Sequence, residues 1–213
     1  MRSTAIDDLT TRARIRDAAV EVFGRDGFTA GVRAVATAAG VSPGLVNHHF
    51  GSKEKLRAEC DEHVLGIIRV AKSDFLTAPS ATSLFEQLAS IDDYEPVFAY
   101  VVRSFQAGGP LAAPLFEHMV DNTAAYLADG VAAGTLRPSR DPYARARYLT
   151  LIGVGSMVLH LQLFDRSGGH RQALRSLTDE IMFPSIELFT EGMLADSTLL
   201  DALDERRITD EED

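Results

Sequence analysis

The sequence predicts an all-α protein in which a small helical module precedes a larger helical one. Apolar residues recur at spacings of three and four along almost the whole chain, the period of one helix face. No stretch alternates apolar and polar residues for long enough to make a strand. Glycine, proline and capping residues cut the chain into pieces of helical length.

Taken in order, Ile15, Ala19, Val22 and Phe23 share one face of a first helix, predicted to run from a cap near Thr10 or Thr11 to Gly27. Val32, Val35, Ala36 and Ala39 repeat the pattern, and Gly40 follows as a terminator free to take positive φ. Ser42 is a good N-cap for the third helix, and Pro43 suits its first turn, where an N–H has no partner. Gly51 closes that short helix and Ser52 caps the fourth, whose stripe is Leu56, Cys60, Val64 and Ile67 or Ile68. Beyond Pro79, Ser83 and Glu86 have capping-box spacing ahead of Leu84, Phe85 and Leu88. Asp92 or Asp93 with Pro96 opens a helix through Phe105, and Gly108-Gly109-Pro110 breaks the chain again. The next helix carries Leu115, Phe116, Met119, Tyr126 and Leu127 towards Gly134, and Asp141-Pro142 starts another that reaches Phe164. Ser167-Gly168-Gly169 reads as a loop. The last large helix holds Leu174, Leu177, Ile181, Ile186 and Leu188, with Pro184 as a kink or break. Asp210 to Asp213 reads as a solvated, disordered acidic tail.

Composition narrows the class. The 213 residues are 46% hydrophobic, enough to bury a core or two. With 8 Pro, 16 Gly and a single cysteine, Cys60, neither a collagen repeat nor a disulfide scaffold is available, and a reducing interior is expected. MRSTAIDDL has no apolar stretch of a secretory signal. The long uncharged run Tyr148 to Phe164 is interrupted by Thr150, Gly153, Gly155, Ser156, His160 and Gln162, against a membrane span. A cytoplasmic protein is expected. Its net charge is -10, yet residues 1–57 carry +3 and the remainder -13, as for a small basic module joined to an acidic one.

Val32 to Phe50 is the most informative segment. Two short helices joined at Gly40, the second opening at Ser42-Pro43, are the pattern of a helix-turn-helix whose second helix lies in a major groove. The bare N–H groups at its start favour an anion, and Pro43 and Gly44 add little bulk near Leu45, Asn47 and His48. A plain pair of packed helices has the same spacing.

The stretch AGVSPGLVNHHFGSKEKL, residues 39–56, preceded by Ile15, Ala19, Phe23, Gly27 and Phe28, resembles the DNA-binding domain of the TetR family of bacterial transcriptional regulators. The resemblance spans about the first quarter of the chain. It implies a helix-turn-helix DNA-binding domain over residues 1–52, a helical ligand-binding and dimerisation domain over 53–200 and the acidic tail at 201–213. It also implies roles. Arg33 falls where members contact a base or phosphate, and its fork suits guanine O6 and N7. Ser42, Pro43, Gly44 and Leu45 match the mouth of the recognition helix; His48 and His49 match polar or aromatic DNA contacts; Lys53 matches a phosphate-binding lysine. Arg12 or Arg14 reaches the backbone from the first helix. Asn47 departs from the family, standing where most members have tyrosine. Its amide instead suits adenine N6 and N7.

Elsewhere the chemistry is sparse. Neighbouring His48 and His49 point about 100° apart on a helix and share no ion easily, and Cys60 with His63 lacks further ligands. No GxGxxG, P-loop, HExxH or GxSxG motif occurs, so neither enzyme activity nor a cofactor is expected. His118, Asn122 and Tyr126 recur every four residues and, with Phe98, Met119, Met157 and His160, make a candidate pocket for a small-molecule effector; a solvent-facing stripe is the other reading. Tyr148, Ile152, Gly155, Ser156 and Leu159, with Leu174, Leu177, Ile181 and Leu188, make a candidate homodimer surface, because a helix apolar around most of its girth needs cover on two sides. The partners expected are therefore double-stranded operator DNA, an effector and a second copy, with no membrane. The rival reading is a helical ligand-binding or scaffolding protein with a degenerate DNA-binding module.

Overall fold

A computed structural model describes residues 2–164 and 169–212, all regular structure among them being helical. In chain order the helices are α1 (Arg2–Asp26), α2 (Val32–Ala39), α3 (Pro43–Phe50), α4 (Lys53–Thr77), α5 (Ala81–Ala89), a 3-10 turn (Ile91–Tyr94), α6 (Glu95–Ala107), α7 (Gly109–Ala132), α8 (Pro142–Leu163), α9 (Gly169–Glu191) and α10 (Thr198–Glu212). None of the described helices is long and apolar enough to cross a membrane. The chain divides into two compact units, residues 1–175 and 176–213, with the division falling inside α9.

In the first unit one core gathers the expected apolar faces. Ile15, Ala19, Val22 and Phe23 of α1, Val35, Ala36 and Ala39 of α2, and Val46 and Phe50 of α3 are buried together. Leu56, Cys60 and Val64 of α4 and Val97, Tyr100 and Val101 of α6 complete the same cluster, so the core runs across residue 52 without a break. Helices α1 and α6 approach closely. A Cβ built on Gly24 meets the Ala99 Cβ and the Tyr100 backbone nitrogen, each at 3.0 Å, so the absent side chain is what lets the two backbones touch. Arg103 of α6 then caps the end of α1, donating from Nε to the Gly24 carbonyl and from Nη2 to the Arg25 carbonyl, both at 3.1 Å. A second cluster joins α7 to α8 through Val120, Leu127 and Ala146. Beside it Thr150 of α8 donates to the Thr123 hydroxyl of α7 at 3.0 Å.

Several boundaries differ from the sequence reading. α1 begins at Arg2 rather than at Thr10 or Thr11, because no residue before Thr10 breaks a helix and a cap preference yields to a continuing turn. The capping box of α5 is Ser80 with Ser83, one turn earlier than Ser83 with Glu86: Ser83 N–H donates to Ser80 Oγ at 3.0 Å and Ser80 N–H to Ser83 Oγ at 2.9 Å. Neither Asp92 nor Asp93 caps α6, which starts at Glu95 without a side-chain cap. Asp92 is drawn instead to Arg171 and Arg175 of α9, which hold its carboxyl below the usual range. Asp141 does cap α8, accepting from the Ala144 N–H at 2.9 Å. Pro184 neither ends nor divides α9, which continues to Glu191. The loop predicted at Ser167 and Gly168 lies outside the described residues, whereas Gly169 opens α9. In the second unit the tail read as disordered is helical to Glu212, its start secured by Asp196 accepting from the Thr198 N–H at 2.9 Å; Leu, Ala, Glu and Arg are good helix formers.

Candidate nucleic-acid interface

The turn between α2 and α3 depends on Gly40, whose φ of 64° is costly for a residue with a Cβ. Val41 N–H closes it by donating to the Ala36 carbonyl at 2.9 Å. Ser42 then caps α3, accepting from the Leu45 N–H at 3.2 Å, with Pro43 in the first turn. Val46 and Phe50 anchor α3 in the core, and Leu45 and His49 are half-buried. Pro43, Gly44, Asn47 and His48 form the opposite, exposed stripe, at the spacing of one helix face.

That stripe is electrically neutral. From Ala34 to Ser52 the chain has no Lys, Arg, Asp or Glu, so charge enters only at its two ends, Arg33 on α2 and Lys53 and Lys55 on α4. Arg33 is exposed and its guanidinium has no partner among the described residues. Lys53 donates to the Phe28 carbonyl at 2.6 Å, bracing the loop between α1 and α2 against the start of α4. Lys55 is exposed beside Gly51, its ammonium without a partner among the described residues. Ser52 caps α4 by accepting from the Lys55 N–H at 3.2 Å, so a helix start and two lysines lie next to the reading stripe. The arginines of α1 part ways. Arg12 lies 4.5 Å over the Phe50 ring, donates to the His49 carbonyl and pairs with Glu59, whereas Arg14 is exposed and has no partner among the described residues. The exposed Asn47 side-chain amide has no partner among the described residues, so its donor and acceptor both face solvent. His48 stands edge-on to His49, ring centroids 5.6 Å apart.

The residues read as an effector pocket are dispersed. Phe98 and His160 are buried, Met119 and Met157 pack on the main core, and the Tyr126 hydroxyl donates to Thr123 at 3.1 Å. His118 and Asn122 do share a groove of about 340 Å³, whose other walls are Glu62, Leu65, Gly66 and Asp121. Sequence reading missed those four. Positions 62, 65 and 66 on α4 and 118, 121 and 122 on α7 each have helix-face spacing, but only the packing of α4 on α7 makes the two sets one surface.

On α8, Tyr148, Ile152, Gly155 and Leu159 are exposed and aligned, flanked by Leu151 and Leu163, and Ser156 is half-buried. Leu174 is buried in the first unit. In the second unit Leu177 is buried, whereas Ile181 and Leu188 are exposed together with Phe183, Ile186 and Phe189.

Comparison with known proteins places this geometry in context. A family model described as "Bacterial regulatory proteins, tetR family" matches residues 15–60, and one described as "Tetracyclin repressor-like, C-terminal domain" matches residues 92–195. The chain is 50% identical over 195 residues, 92% of each protein, to the HTH-type transcriptional regulatory protein RaaS of Mycobacterium tuberculosis. It is 33% identical over 134 residues, 60% of each, to the HTH-type transcriptional repressor NicS of Pseudomonas putida. A crystal structure of a TetR-family regulator from Rhodococcus superposes with a TM-score of 0.57 at 20% identity, covering 81% of this chain and 98% of that one, which bears on the fold.

Proposed function

The chain belongs to the TetR family of bacterial transcriptional regulators, and from that premise we propose that it is a homodimeric repressor released from a pseudo-palindromic operator by a small-molecule effector. It is a DNA-binding regulator and not an enzyme. The observation that carries the proposal is the exposed stripe of α3, with the unpartnered amide of Asn47 at its centre and the free cations Arg33 and Lys55 at its ends. Neutral groups at the centre read base edges and cations at the rim meet phosphates, the division of labour of a specific DNA contact.

A two-fold dimer is supported by the uncovered stripe of α8. Apolar side chains aligned over four turns on a soluble surface mark an interface, and a second copy presents the same stripe. Gly155 allows the two backbones a close approach. The groove between α4 and α7 is the proposed effector site, because it mixes an apolar wall at Leu65 with His118, Asn122 and two carboxylates. For a ligand there to act as an inducer, it must bind better to the arrangement that does not fit DNA. A repressor role is consistent with the relative NicS, which is described as one.

The test is selection of DNA by the purified full-length chain at moderate salt, from a random-sequence library and from fragments around its own gene. Enrichment of a two-fold symmetric sequence, with affinity falling steeply as salt rises, is expected. Retention of no sequence over bulk DNA would favour the ligand-binding or scaffolding reading.

A further inference from the structure

One side chain ties three elements of the first unit together at the root of the DNA-reading module. Arg57 lies one turn along α4 from Lys53. Its guanidinium carbon stands 4.6 Å over the ring of Phe28, in the loop that joins α1 to α2. Its Nη2 donates to the carbonyl of Leu111, in the first turn of α7, at 2.9 Å. The same nitrogen is 3.9 Å from Asp61 of α4. Asp61 in turn accepts from the fully buried Tyr100 of α6 at 2.6 Å, and the Tyr100 ring meets Phe28 edge-on with centroids 5.4 Å apart. The circuit closes where it began, because the Phe28 carbonyl is the acceptor of Lys53.

A largely buried, planar guanidinium of this kind acts differently from a packed methylene chain. Stacking fixes its plane and the carbonyl fixes its rotation, so it tolerates only a narrow range of positions for Phe28 relative to α6 and α7. We propose that Arg57, held in place by Asp61, is the positioning residue that fixes the orientation of the DNA-reading module on helices α6 and α7. This inference rests on the reading of the protein as an operator-binding dimer. In that dimer the pitch of α3 relative to its two-fold mate decides which operator spacing fits, because both helices must enter successive major grooves. Arg57 therefore contributes to spacing selectivity while touching no DNA.

The experiment uses full-length protein and duplexes carrying two copies of the half-site that the parent itself selects, with the spacing changed by one and two base pairs in each direction. The parent is expected to lose about tenfold or more in affinity at two base pairs from its optimum. Arg57→Met should bind a single half-site within about twofold of the parent, yet its spacing contrast should shrink to about twofold. Asp61→Asn, which keeps an oxygen for Tyr100 but removes the charge facing Arg57, should also flatten the profile. An unchanged profile in either variant that keeps the parent's helical circular dichroism overturns the proposal. Unfolding of both variants does so too, since Arg57 would then be part of the core and no positioner. A parent that selects no DNA sinks the operator-binding reading instead, and a parent indifferent to spacing sinks the two-fold reading; both remove the ground of this proposal, and each is recognised before any variant is made.

Discussion

Two lysines at the start of α4 have different tasks because their ammonium groups have different surroundings. Lys53 spends one donor on the Phe28 carbonyl, so Lys53→Ala is expected to cost about 1 kcal/mol of stability, read by chemical denaturation, in addition to any loss of DNA affinity. Lys55 is free, so Lys55→Ala should leave stability unchanged and make the slope of log affinity against log salt shallower by about 0.9. Equal slopes for parent and variant would exclude a phosphate contact. Arg33→Ala should lose roughly 1–3 kcal/mol on the selected operator and relax preference at one base pair per half-site, checked by comparing its selected sequences with the parent's. Cys60 completes this scale. Complete burial pushes its thiol up to about 12, so at pH 8 it is held as the unreactive thiol. Iodoacetamide is expected to leave the native protein unmodified at that pH and to alkylate it only in denaturant.

Among the elements, the contact of α1 with α6 is the least tolerant. At Gly24 the neighbours of an added Cβ include backbone atoms of Ala99 and Tyr100, which cannot turn aside, so Gly24→Ala must push two helices apart. A loss of about 1–3 kcal/mol is expected by chemical denaturation. Gly130 is a useful control. There an added Cβ meets Leu136 Cδ1 at 2.7 Å and Cγ at 2.9 Å, atoms of one side chain that can turn aside and not backbone, so Gly130→Ala should cost less despite the shorter distance. α5 has the opposite character. None of its residues is buried, and apart from the adjoining 3-10 turn it is tied by Gln87 donating to the Ala71 carbonyl at 3.2 Å.

At the scale of the whole molecule the uncovered stripe of α8 is the proposed dimer surface. Replacing Ile152 and Leu159 by Lys places two charges in each copy of the proposed interface, where burial without a partner is costly. The double variant is expected to be monomeric at micromolar concentration by light scattering, to keep its helical content, and to lose cooperative operator binding while retaining weak half-site binding. A parent that is itself monomeric under these conditions would contradict the proposed assembly.

Much of the helix-turn-helix was legible because its determinants are local. Gly40 must take positive φ, Ser42 must accept from an N–H three residues on, and Pro43 has no N–H to waste; such demands are satisfied within a turn of chain and therefore show as residue types at fixed spacing. The same logic failed where one local signal competed with another, as when the Ser80 box outran that of Ser83 with Glu86. Which cations remain free was not legible at all. Lys53 and Lys55 are alike as letters, and only the fold brings the Phe28 carbonyl within reach of one of them. Likewise His118 and Asn122 stood out as a stripe, but their neighbours Glu62 and Gly66 lie more than fifty residues away in sequence and join them only through the packing of α4 on α7. Helix caps and apolar periods are encoded within a few residues, so the sequence by itself determined most of the helices and the helix-turn-helix, though not the start of α1 or the existence of α10. The partners of Lys53, Arg57 and Tyr100 depend on chain separations of 25 to 54 residues, and those only tertiary packing decides.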